Sequence, residues 1–131
     1  MSDASATPMT RILFVDDEPR VLDGLRRSLR AQRQRWDMHF AIGGEAALAA
    51  LEQAPFDVIV SDMRMPDVDG LMLLTAARER WPRMTRLVLS GYTDMEAVLR
   101  STSVAHQILA KPCDPAELVA VIDRARRPAA P

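Results

Sequence analysis

Short apolar runs recur along the chain at residues 12–15, 38–42, 57–60, 86–89 and 107–110, each of strand length and rich in Val, Ile and Leu. Between them the apolar positions take up helical spacing. After the first run, Val21, Leu22, Leu25 and Leu29 share one stripe, Arg20, Arg26, Arg27, Arg30 and Arg33 fall mainly off it, and Pro19 suits a first turn. A second helix is predicted from Gly44 or Glu45 to Glu52, entered through a Gly43-Gly44 turn, with Ala47, Leu48 and Leu51 inward. A third follows Gly70, turns Leu71, Leu74 and Ala77 inward and stops at Trp81-Pro82, where proline lacks the amide a further turn needs. A fourth starts near Asp94 as N-cap, with Ala97 and Val98 facing the sheet. The last begins at Asp114-Pro115 and packs Leu118, Val119 and Ile122.

Strict alternation of strand and helix predicts an α/β fold, a five-stranded parallel sheet covered on both faces by right-handed crossovers. Ligands of such sheets bind at the carboxyl ends of the strands. In the order 2-1-3-4-5 the switch point lies between strands one and three. The organisation expected is a disordered N-terminal segment over residues 1–10, one domain over 11–126, and a tail or linker start over 127–131, where the sequence turns to Pro and Ala.

Composition narrows the chemistry. The net charge of −1 gives no whole-molecule attraction to nucleic acid or anionic lipid, and direct contact with neither is expected. No apolar run reaches membrane-spanning length and the opening residues do not read as a secretory signal, so a cytoplasmic location is expected. With one cysteine, Cys113, and two histidines, His39 and His106, there is no thiolate or imidazole set for zinc, so a metal would be held by oxygen.

Polar chemistry gathers at the strand ends. Asp16-Asp17 follow the first strand, Asp62 the third, Ser90 the fourth and Lys111 the fifth. Lys111 is the single lysine beside sixteen arginines, and a compact ammonium serves a crowded phosphoryl site differently from a planar guanidinium. One Asp at a strand–helix junction often only caps the helix. Three carboxylates together at a switch point repel one another unless a cation or raised pKa values relieve them, and hard oxygen donors favour magnesium.

With these acids, the stretch Asp57-Val-Ile-Val-Ser-Asp62-Met-Arg-Met-Pro66-Asp-Val-Asp-Gly70, followed by Ser90-Gly91 and Lys111-Pro112, resembles the response-regulator receiver family over nearly the whole chain. The resemblance implies a flavodoxin-like, doubly wound (βα)5 sandwich and a phosphorylation switch rather than a metabolic enzyme. In it Asp62 takes a phosphoryl group from the phosphohistidine of a histidine kinase or phosphotransfer protein. It further implies Mg2+ held by Asp17, Asp62 and the Arg64 backbone carbonyl, with Asp16 acting largely through water, and Lys111 as opposing charge on a cis Lys111-Pro112 bond. Ser90 would donate to the phosphoryl group and carry Gly91, Tyr92 and the following helix into a second arrangement. Ile108 departs from the family, which usually has Tyr or Phe there; Tyr92 is the expected substitute. The stretches Leu89–Asp94, Ala105–Gln107 and Lys111–Asp114 look like receivers joined to HD-type output domains. An output domain in cis, a partner in trans and a phosphorylation-dependent homodimer all stay open.

Other residues have plainer readings. The arginines of the first helix read as a solvated face, with kinase docking as the sharper alternative. Glu18 reads as a helix-dipole residue, His39 and His106 as structural or surface residues, Met63 and Met65 as packing, and Cys113 as a spacer whose pKa Lys111 would lower. The rival functions are an interaction module that keeps the fold without phosphorylation and an aspartyl-nucleophile phosphatase. In the phosphatase pattern the nucleophile follows the first strand and a second Asp comes two residues later, whereas here Asp16 and Asp17 are adjacent.

Overall fold

The sheet in the computed structural model, which describes residues 9–91, 99–100 and 102–126, has five parallel strands in the order β2-β1-β3-β4-β5. These are β1 (Thr10–Asp16), β2 (Trp36–Ile42), β3 (Val58–Asp62), β4 (Thr85–Ser90) and β5 (Gln107–Ala110). Helices α1 (Pro19–Ser28), α2 (Gly44–Gln53), α3 (Gly70–Arg80) and α4 (Pro115–Ala125) lie between or after them. The helix expected near Asp94, with Ala97, Val98 and Tyr92, lies outside the described residues, as do residues 1–8 and 127–131.

Alternation along the strands builds two cores. Ile12 and Phe14 of β1, with Val58 and Val60 of β3, meet Leu22 and Leu29 of the α1 region and Leu118, Val121 and Ile122 of α4. Leu13, Val15 and Ile59 point the other way, onto Ala47 and Leu51 of α2 and Leu73, Leu74 and Ala77 of α3. Because a strand turns successive side chains to opposite faces, an unbroken apolar run such as Ile12–Val15 is what double coverage demands. Burying each large aliphatic side chain contributes about 1.5 to 3 kcal/mol.

The structure corrects two helix faces. In α3 the fully buried leucines are Leu73 and Leu74, while Leu71, expected inward, is only partly covered. In α4 Val121 is buried beside Leu118 and Ile122, and Val119 lies at the edge of that core. Both helices meet the sheet along a stripe rotated from the one predicted. The caps follow the sequence more closely: Asp114 accepts the Ala116 amide at 2.9 Å, and Pro19 opens α1. Asp69 also caps α3 through the Met72 amide, at 2.8 Å.

Candidate functional site

Parallel pairing brings the polar strand ends together. Asp62 pairs in register with Leu89, and Ser90 with Ala110, so the carboxyl ends of β3, β4 and β5 finish side by side. The ladder continues past the strands, with the Met63 amide donating to the Leu89 carbonyl at 3.0 Å and the Lys111 amide to the Ser90 carbonyl at 2.9 Å. From β1, Asp16 arrives with its carboxylate accepting the Glu18 amide at 3.0 Å. One carboxylate oxygen each from Asp16, Asp17 and Asp62 then fall within 4.8 Å of one another.

Lys111 faces this cluster. Its ammonium lies 2.5 Å from Asp62 Oδ1 and 3.6 Å from Asp16 Oδ2, and the Lys111-Pro112 peptide is cis. Burial raises the pKa of both Asp16 and Asp62 even though Lys111 pulls each down. For Lys111, burial works to lower the pKa, but Asp62 and Asp16 together override it and the net shift is upward. The two directions are consistent: one ammonium is well satisfied by several carboxylates, whereas several carboxylates are not satisfied by one ammonium.

That excess of negative charge is the test of fit for a cation. The donors are oxygens alone, two of the three carboxylates are buried, and their spacing lets one small ion touch all of them. Asp16, Asp17 and Asp62 therefore suit a hard divalent ion such as magnesium. Ser90 is buried at the end of β4 with its hydroxyl directed to the Gly91 carbonyl at 3.4 Å, and Ile108 is half-buried on the α2–α3 side of the sheet. Arg64 is exposed in the loop after Asp62, and Tyr92 lies outside the described residues.

Some side readings change. Cys113 is not activated by Lys111: burial and then Glu117, whose carboxylate lies 3.8 Å from its sulfur, raise the thiol pKa. Of the acidic pair, Asp16 accepts the amide of Glu18, the N-cap residue of α1, and the helix start has no side-chain capping hydrogen bond. Arg26 is held by Asp23 at 3.3 Å and lies over the Phe40 ring, so part of the basic face of α1 is structural. His39 pairs with Asp37 at 3.1 Å, and His106 accepts the Arg86 amide at 2.9 Å. Met63 and Met65 are core residues.

The sequence reading missed how glycines shape the site. A Cβ on Gly70 would sit 2.5 Å from the Asp62 carbonyl oxygen, so only glycine lets α3 start against the acidic strand. Gly43, at φ 89°, donates its amide to the Asp16 carbonyl at 3.0 Å. The Gly-Gly pair was the available signal. Its pairing with Asp16 depends on contacts between segments that no local pattern encodes.

Residues 12–123 match the family model for the response regulator receiver domain. The hydrogenase transcriptional regulatory protein HoxA of Cupriavidus necator is 39% identical over 127 residues, covering 95% of this chain and 25% of that protein. The transcriptional regulatory protein TrcR of Mycobacterium tuberculosis is 36% identical over 118 residues, 89% of this chain and 45% of that protein. The chain thus spans less than half of these relatives. Among solved structures, the signal receiver domain of an HD domain-containing protein from Pseudomonas fluorescens superposes with a TM-score of 0.84 at 28% identity, over 90% of this chain and 94% of that one. The chemotaxis protein CheY4 of Vibrio cholerae gives 0.79 at 30% identity, over 90% and 99%. With three carboxylates and a lysine at the switch point of a 2-1-3-4-5 sheet and a family match over almost its full length, the chain belongs to the response regulator receiver domain family of two-component signalling.

Proposed function

We propose that this receiver accepts a phosphoryl group on Asp62 and uses it to switch conformation. The observation that carries this is the clustering of Asp16, Asp17 and Asp62 opposite the ammonium of Lys111. An Asp62 carboxylate oxygen attacks the phosphorus of a partner's phosphohistidine; the P–N bond breaks, its electrons return to the imidazole, and an acyl phosphate forms. Such a loose transition state needs charge and positioning more than acid–base machinery. Asp17, Asp62 and the Arg64 carbonyl would hold Mg2+, with Asp16 acting largely through water, and the ion would supply positive charge that offsets the charge of the transferring group. Lys111 neutralises Asp62 before transfer and the phosphoryl oxygens after it.

Ser90 then turns its hydroxyl from the Gly91 carbonyl to a phosphoryl oxygen, drawing Gly91 and Tyr92 with it. A charge-assisted hydrogen bond is worth about 1.5 to 3 kcal/mol, enough to shift two nearly balanced states. Ile108 fills the space this movement leaves. The partner is a cytoplasmic histidine kinase or phosphotransfer protein, and the receiver unit runs over 11–126. For the output, the Pseudomonas fluorescens structure favours an HD-type domain in cis or in trans. The relatives from Cupriavidus necator and Mycobacterium tuberculosis favour a transcriptional regulator as the second reading.

The test is incubation with acetyl phosphate and magnesium, followed by intact mass. One added phosphoryl group on the native chain and none on Asp62→Asn is expected. No addition to the native chain would leave an interaction module that works without phosphorylation, and the same addition to both would move the acceptor elsewhere. Continuous hydrolysis of a small phosphate ester would turn the reading to a phosphatase.

A further inference from the structure

The loop between β3 and α3, residues 63–69, is gripped at both ends by glycines. At its far end the Gly70 amide donates to the Met63 carbonyl at 2.9 Å, and Gly70 lies directly against the Asp62 carbonyl. At Val68 the loop sits on the first residue of α2: a Cβ on Gly44 would overlap the Val68 carbonyl oxygen and come within 2.6 Å of Val68 Cβ and 2.7 Å of Cγ1. Real side chains do not approach so closely, so the loop would have to lift. Between these grips Met65 is buried in the core that α2 shares, and Asp67 holds a left-handed backbone at φ 66°. Aspartate tolerates that conformation in a turn. The preceding residue, Gly43, is hydrogen-bonded to Asp16. The start of α2 therefore touches both acidic strands, β1 through Gly43 and β3 through Gly44, Val68 and the loop.

We infer that Gly44 is a positioning residue for the cation pocket: its missing side chain lets α2 seat the 63–69 loop, and with it the Arg64 backbone, against Asp62. This rests on the reading of the site as a magnesium-dependent phosphoacceptor. Groups that orient ligands without touching the metal typically contribute about 10- to 100-fold to its affinity.

Calorimetric titration of magnesium chloride into the native chain, Gly44→Ala and Gly24→Ala tests it. Gly24 has open space around it and serves as the reference. Gly44→Ala should unfold cooperatively in EDTA yet bind Mg2+ about tenfold more weakly. A role confined to stability would lower the unfolding midpoint and leave the affinity of the folded protein at the native value, and that result overturns the inference. Should Gly44→Ala fail to fold, hydrogen exchange on the native chain decides. Mg2+ should slow exchange of the Ala47 amide, which donates to Gly43, and an unchanged rate there overturns the inference. A native chain that takes no phosphate defeats the proposed function instead. A native chain and a Gly44→Ala variant labelled with the same dependence on magnesium defeat only the role of Gly44.

Discussion

The ammonium of Lys111 lies 2.5 Å from Asp62 Oδ1 and 3.6 Å from Asp16 Oδ2, so one lysine from the end of β5 serves acids from β3 and β1. Its pull does not compensate fully for burial, and both carboxyls keep raised pKa values. Without a cation, the ionised site opposes the fold.

Neutralising Asp62 should therefore stabilise the metal-free protein. Because the folded-state pKa of Asp62 is raised, its contribution to stability is full below the unfolded value and is lost as pH rises through the folded one. In EDTA at pH 7, Asp62→Asn should be more stable than the native chain. That advantage should shrink as pH falls toward 4, about the unfolded carboxylate value. Urea unfolding of both proteins across this range checks the sign; an advantage that grows on acidification refutes it.

Magnesium should reverse the ranking. At a hundred times its dissociation constant, a ligand of the folded state adds about 2.7 kcal/mol. The native chain should gain that much and Asp62→Asn distinctly less, measured as the shift in unfolding midpoint with magnesium concentration.

Arg86 is a buried cation held by backbone carbonyls. Its guanidinium donates to the carbonyls of Val104 at 2.6 Å, Met84 at 3.0 Å and Pro82 at 3.3 Å, tying the start of β4 to the segment before β5. Arg86→Met should leave those carbonyls without their donor and cost about 2 to 3 kcal/mol in urea unfolding. A loss under half of that would mean water replaces the guanidinium readily.

Leu73, which the predicted helix face omitted, is fully buried between α3 and the sheet. Leu73→Ala should cost about 2 to 5 kcal/mol, and Leu71→Ala, at a partly covered position, clearly less. Equal losses in denaturant titrations would restore the original face.

The alternation of apolar runs with helical stripes determined the fold class, the five strands and the placing of Asp16, Asp17, Asp62, Ser90 and Lys111 at strand ends. These are local properties: strand and helix periods differ, and a strand buried on both faces has to be apolar throughout. Helix faces were less legible, since Leu71 and Leu73 both fit a helical stripe and only contact with the sheet chose between them. Tertiary structure alone decided that Asp62 shares Lys111 with Asp16, that burial outweighs this pairing, and that Gly44 and Gly70 bring loop backbone against the acidic strand. Each depends on distances between segments far apart in sequence, and desolvation, mutual repulsion and close packing acquire values only once those segments meet.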